Sequence, residues 1–219
     1  MRALSLPSGP LRLLCLGAHA DDIEIGCGGT ILSWLGAHPH STCRWVVCSG
    51  RGTVREQEAR NSAARFLASA GEHRIDVHDF RDGHFPPALS ALKDTFETIR
   101  REFTPDVILT HTLDDRHQDH RTLAEVSWQT FRDHLVLEYE VPKYDGDLGR
   151  PQVYVPLDRS TAARKVEILS AAFPSQRGKH WFGDDTFLAL LRLRGLECAA
   201  PEGYAEAFHG RKLVLGGAT

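Results

Sequence analysis

No two cysteines of this 219-residue chain stand in a C-x-x-C pair. The five, Cys15, Cys27, Cys43, Cys48 and Cys198, are odd in number and match neither a disulfide framework nor a thiolate zinc knuckle. They read as small buried hydrophobes of a protein in a reducing, cytoplasmic compartment. No apolar stretch approaches the ~20 residues that a membrane span requires. The segment "LLCLGAHA" ends in an A-x-A pattern resembling a signal-peptide cleavage site. Pro7, Pro10 and Arg12 nevertheless leave too short an apolar run, and cleavage after Ala20 would discard His19. Neither sign of charge predominates: 26 Lys and Arg face 29 Asp and Glu, a formal net charge of -3. That balance excludes partners chosen by bulk electrostatics, nucleic acid among them. Internal repeats, low-complexity tracts and linkers are absent too, so one domain over residues 1–219 is the expectation, with its oligomeric state left open.

What the chain does have is alternation. Short β-rich runs at 11–18, 43–49, 75–80 and 106–111 are separated by helical patterns at 28–37, 55–70 and 89–103. In the third helix Leu89, Leu92, Phe96, Ile99 and Phe103 recur at helical spacing. A helix at 119–132, strands near 135–141 and 152–157, helices at 160–173 and 186–195, and a closing segment "YAEAFHGRKLVL" follow. Strand and helix in regular succession predict an α/β, Rossmann-like, mostly parallel sheet with helices on both faces. Ligands of such sheets bind beyond the carboxyl ends of the strands, where strand order reverses. With the order 3-2-1-4-5, strands one and four flank that reversal. "HADD" follows strand one and "THTLDDRHQDH" ends strand four and continues beyond it.

His19 and Asp22 are three apart, as are His117 and His120, so each pair can converge where the chain enters a helix. Together they offer nitrogen and oxygen ligands to zinc. A structural zinc would use all four, whereas a catalytic one leaves a position open, so that one of the four stands off as an acid or base. An Asp at a helix start is ordinarily a cap, and "HADD" alone would be read that way; the second His- and Asp-rich turn at the matching strand end alters the balance. "GCGG" hints at a dinucleotide loop. However, the G-x-G-x-x-G spacing is missing and Asp21 and Asp22 would repel a phosphate there, so Gly26, Gly28 and Gly29 are expected to serve close helix–sheet packing.

These motifs, "AHADD" with "GCGG" and later "DRHQDH", resemble the PIG-L/LmbE family of zinc-dependent N-acetylglucosaminyl deacetylases, whose usual motifs are A-H-P-D-D…G-G and H-x-D-H. "REQEARNSAARFLA", "FRDGHF", "SQ" and "YAEAF" extend the resemblance over nearly the whole chain. Ala20 and Gln118 stand where the family commonly has Pro; neither change removes a ligand. The resemblance implies that His19, Asp22 and His120 bind zinc and that Asp21 is the general base. It makes His117 the non-ligand, a protonated partner of the oxyanion, and Asp119 the carboxylate that orients it. Arg55, Glu58, Arg81 and Asp82 are the expected substrate contacts, with a surface ion pair the alternative for the first two and a plain turn for the others. His180 and Trp181 are more simply packed beneath a loop than stacked on a sugar. The implied reaction removes the N-acetyl group from an N-acetylglucosamine-type amino sugar or its glycoside. An amidase for a larger acyl group or thiol conjugate, and a non-catalytic nucleotide- or sugar-binding module, are the alternatives.

Overall fold

The computed structural model describes residues 4–214. The first strand, β1 (Arg12–Gly17), is buried on both faces after Arg12, which is why it reads as a continuous apolar run rather than an alternation. Its side chains still divide by parity. Leu13 and Cys15 enter a core shared with Trp45, Phe66 and Tyr139, whereas Leu14 and Leu16 enter a second core with Phe85, Phe96 and Phe131 on the opposite face.

Around β1 the sheet grows in both directions. β2 (Thr42–Ser49) and β3 (Glu72–Phe80) lie on one side; β4 (Val107–His111) and β5 (Leu135–Tyr139) lie on the other, all parallel. Beyond β5 the order continues with β7 (Tyr204–His209) and then β6 (Val153–Leu157), each antiparallel to its neighbour. The full order β3-β2-β1-β4-β5-β7-β6 contains the expected reversal between β1 and β4, where Leu13 faces Val107 and Cys15 faces Leu109. The closing segment thus supplies an inserted strand, and its last residue, Leu215, lies outside the described residues.

Helices α1 (Asp22–Ala37), α2 (Val54–Phe66), α3 (Leu89–Glu102) and α4 (Gln118–Thr130) connect the parallel strands. α5 (Arg159–Ala172) and α6 (Asp184–Glu197) follow β6. In α3 the buried residues are Leu92, Phe96 and Ile99, one face of the helix, as the apolar spacing predicts. The largest departure is α1, which begins six residues before the expected start and is broken at Cys27 (φ -146). Glycines are poor helix formers, so the pattern alone starts the helix after them. Neighbouring elements hold the break: Gly29 and Thr30 donate their N–H groups to the Glu206 carboxylate at 2.8 and 2.6 Å. Lys165 Nζ donates to Ile25 O and to Glu206, both at 2.6 Å. Among the described residues no helix is long and apolar enough to cross a membrane.

Candidate metal centre and its cavity

β1 ends at Gly17 and α1 begins at Asp22, so His19, Asp21 and Asp22 occupy the turn between strand and helix. The corresponding turn after β4 carries Asp115 and His117, and the first turn of α4 that follows it carries Asp119 and His120. Because β1 and β4 are adjacent, the two turns meet. His19 Nδ1 lies 3.1 Å from His120 Nε2 and 3.3 Å from Asp22 Oδ2, and His120 Nε2 lies 3.4 Å from Asp22 Oδ1. Tetrahedral ligands bound to zinc at about 2.0–2.1 Å stand about 3.3 Å from one another, so these separations suit a zinc ion.

The remaining ring nitrogens fix the tautomers. His120 Nδ1 donates to Asp115 Oδ2 at 2.9 Å, and His19 Nε2 donates to Asp82 Oδ1 at 3.1 Å and Asp119 Oδ2 at 3.2 Å. His19 Nδ1 and His120 Nε2 are therefore the ring nitrogens that face each other beside a carboxylate, and with both rings neutral they are free to bind metal while the other nitrogens hold outer partners. His111 closes the floor of the site, its ring stacked 3.9 Å from that of His120 and its Nε2 3.2 Å from Asp22 Oδ2. That nitrogen already accepts the Ala18 N–H at 3.1 Å, so its lone pair is engaged.

The two consecutive carboxylates differ in environment. Burial alone would raise Asp22, but the charges of His120, His111 and His19 outweigh it and hold the carboxyl well below its usual range. Burial raises Asp21, with only partial relief from Arg55. Asp21 occupies the N-cap position of α1 yet makes no side-chain cap bond; its Oδ2 faces Arg55 Nη2 at 2.9 Å. A capping role is thus not what the structure gives it. Burial likewise lowers His19, but Asp22, Asp119 and Asp82 outweigh it and raise the imidazole well above its ordinary value. His117 moves the other way, lowered by burial and by the charge of His19. Its Nδ1 accepts the Asp119 N–H at 3.3 Å, which leaves Nε2 as the donor of a neutral ring rather than of the imidazolium expected.

Asp119 departs from expectation. Its carboxylate is fully buried and accepts from Gly83 N at 2.6 Å, Phe85 N at 3.0 Å and His19 Nε2; toward His117 it presents only its backbone N–H. Those bonds bring the 81–85 loop over the site, with Gly83 at φ 77 supplying the left-handed turn. Within that loop Asp82 reaches His19 although its side chain is 76% exposed, and Arg81 lines the cavity. Arg55 lines it too, but Glu58 does not. Glu58 is buried, accepting from Arg55 Nη1 at 2.7 Å and from the Ser175 N–H and hydroxyl at 2.8 and 2.6 Å. Trp181 lines the cavity while its ring packs edge-on against Phe182.

Sequence reasoning missed His111, Asp115 and Lys143. The first two lie within the His- and Asp-rich stretch, and His111, as the last residue of β4, carried a positional signal. Lys143 had none. The cavity over these groups measures about 750 Å³ and is walled by the turns after β1, β2, β3, β4 and β5.

Residues 14–131 match the family described as GlcNAc-PI de-N-acetylase. The chain belongs to this family. Membership makes it a hydrolase of the deacetylase type, acting on an acylated substrate. The uncharacterized deacetylase YaiS of Escherichia coli K12 is 29% identical over 140 residues, 59% of this chain and 74% of the relative. The N,N'-diacetylchitobiose deacetylase from Pyrococcus horikoshii shares the fold with a TM-score of 0.62 at 19% identity, covering 90% of this chain and 82% of the other. GalB from Pseudomonas putida KT2440, a 4-carboxy-2-hydroxymuconate hydratase, also shares it, with a TM-score of 0.67 at 17% identity over 95% and 99% of the two chains. Since one fold hosts both activities, the reaction must be argued from the site.

Proposed function

We propose that this member of the family is a zinc-dependent N-deacetylase that hydrolyses the acetamide of an N-acetylglucosamine-type amino sugar or its glycoside. The observation that carries this reading is the convergence of His19 Nδ1 and His120 Nε2, 3.1 Å apart, on the Asp22 carboxylate, whose Oδ2 lies 3.3 Å from the first and whose Oδ1 lies 3.4 Å from the second. Those three residues would hold the metal. Zinc bound there supplies Lewis acidity, polarising a carbonyl oxygen and making a water acidic near neutral pH.

The protein's own groups do the rest. Asp21, basic because it is buried, accepts the proton of the water that attacks the acetyl carbonyl. Arg55 holds that carboxylate toward the cavity. His117 donates its Nε2–H to the carbonyl oxygen as negative charge builds there. The C–N bond then breaks, the proton held by Asp21 returns to the leaving nitrogen, and acetate and a free amine separate. Arg81 and Asp82 contact the sugar from the loop over β3; Glu58 acts only through Arg55 and Ser175. Asp119 shapes the His19 side of the site. Residues 1–219 act as one catalytic domain in the cytoplasm, a reading supported by a single sheet that unites strands from Arg12 to His209 and by five free cysteines.

The test is a screen of zinc-loaded protein against N-acetylglucosaminyl compounds with varied aglycones. The expected result is acetate and free amine in equal amounts from at least one of them. Release only from compounds with longer acyl groups would favour the amidase, and no release from any acylated sugar at full zinc loading would contradict the proposal.

A further inference from the structure

The segment after β5 runs from Glu140 to Gly149 and is tied together at its base. The Glu140 carboxylate accepts from Gly149 N at 2.9 Å and from Arg194 Nη2 and Nε at 2.7 and 2.9 Å. Arg194 Nη2 also reaches Gly149 O at 3.2 Å. This closure makes a compact loop packed by its own side chains, and it separates side chains that point out from those that point in. Tyr144 is 76% exposed, whereas the Lys143 side chain is only 12% exposed. Lys143 Nζ donates to Asp115 Oδ2 at 2.9 Å and to Asp147 Oδ1 at 2.8 Å, and Asp147 Oδ2 accepts the Arg116 N–H at 2.8 Å.

Asp115 Oδ2 is the same oxygen that accepts from His120 Nδ1, and Asp115 Oδ1 accepts the His117 backbone N–H at 2.8 Å. One buried carboxylate therefore grips both His117 and His120, and the only ammonium that grips the carboxylate comes, among the described residues, from the cavity-lining loop. A buried anion needs a counter-charge to remain in place. Without Lys143, the Asp115 carboxylate has, among the described residues, no ionic contact other than an imidazole that must stay neutral to bind metal.

We propose that Lys143 is a positioning residue of the metal centre: by holding Asp115 it keeps His120 Nδ1 a donor and so keeps His120 Nε2 a lone pair aimed at His19 and Asp22. The inference rests on the metal-site reading above. It assigns the loop after β5 a role in the metal centre in addition to walling the cavity.

The test compares Lys143→Met and Lys143→Arg in the full chain, with zinc affinity measured by competition against a chromophoric chelator and the His120 ring nitrogens followed by 15N NMR in the metal-free protein. Lys143→Met is expected to weaken zinc binding about 10–100-fold and to mix the His120 tautomers, and Lys143→Arg to restore most of both. Asp115→Asn should weaken zinc binding as well, and adding Lys143→Met to it should cost little more, because the two act through one contact. Unchanged zinc affinity with an unchanged His120 ring in Lys143→Met, or losses that simply add in the double variant, would overturn the proposal. Lys143→Gln is read by the same measures should the methionine variant not fold, as judged by melting. Wild-type protein that binds no zinc would contradict the metal-site reading instead, and the NMR comparison would still decide whether Lys143 positions His120.

Discussion

Asp21 and Asp22 are neighbours in sequence and opposites in chemistry. Asp22 is surrounded by imidazoles that keep it ionised, and burial makes Asp21 the more basic of the two even though Arg55 partly offsets it. Asp21→Asn preserves shape but cannot take a proton. It is expected to retain zinc while losing about 10²–10⁴-fold in turnover, checked by metal content and acetate release on the same preparation; near-native turnover would return Asp21 to a structural role. Glu58 allows a pH test of the network behind Arg55. Burial opposes its ionisation, but the Ser175 hydroxyl and N–H and the Arg55 guanidinium outweigh it and lower its pKa. A carboxyl lowered on folding contributes stability above its unfolded value of about 4.3 and loses it as pH falls through the folded value. Glu58→Gln should therefore cost about 1–3 kcal/mol near neutral pH, with the gap from wild type closing in acid. Denaturant unfolding across that range measures it, and a gap independent of pH would contradict the assigned ion pair.

At the scale of elements, the parallel strands and α3 were legible because their signals are local: buried runs of strand length for the former, an apolar face at helical spacing for the latter. The first turns of α1 were not, since the forces that hold them come from elsewhere in the chain. A Cβ on Gly26 would lie 2.1 Å from Tyr139 Cδ2, and one on Gly28 would lie 2.6 Å from Phe66 Cε1. The reading of "GCGG" as close helix–sheet packing thus holds for Gly26 against β5 and for Gly29 against Leu157 of β6, whereas Gly28 packs against α2. Helix propensity alone predicts that Gly→Ala anywhere in α1 stabilises by up to ~1 kcal/mol. Packing predicts a split: Gly36→Ala, with nothing near its Cβ, should stabilise, while Gly26→Ala should destabilise by about 1–3 kcal/mol or more. Thermal unfolding of the two variants decides between them. The place of β7 between β5 and β6 was equally hidden, because antiparallel insertion of a late strand leaves no local mark.

For the whole molecule, the reversal of strand order was the informative prediction. It brought "HADD" and "HQDH", nearly a hundred residues apart, to within hydrogen-bond distance, with His19 Nδ1 and His120 Nε2 separated by 3.1 Å. Residue types and spacing indicated which side chains converge but not which nitrogen each presents, since the tautomers depend on Asp82, Asp119 and Asp115 from other turns. The same limit explains why Asp119 was paired with His117 rather than His19, and why Lys143 had no role until Arg194 closed its loop. The central proposal is that His19, Asp22 and His120 bind one metal ion and that His117, although a ring nitrogen of it lies within 4.8 Å of those of His19 and His120, does not. Zinc stoichiometry and affinity, measured on wild type and on the four single alanine variants in metal-buffered solution, test it most directly. The account predicts one zinc per wild-type chain, loss of tight binding in His19→Ala, Asp22→Ala and His120→Ala, and retention in His117→Ala. Full occupancy in His120→Ala, or loss in His117→Ala alone, would contradict it.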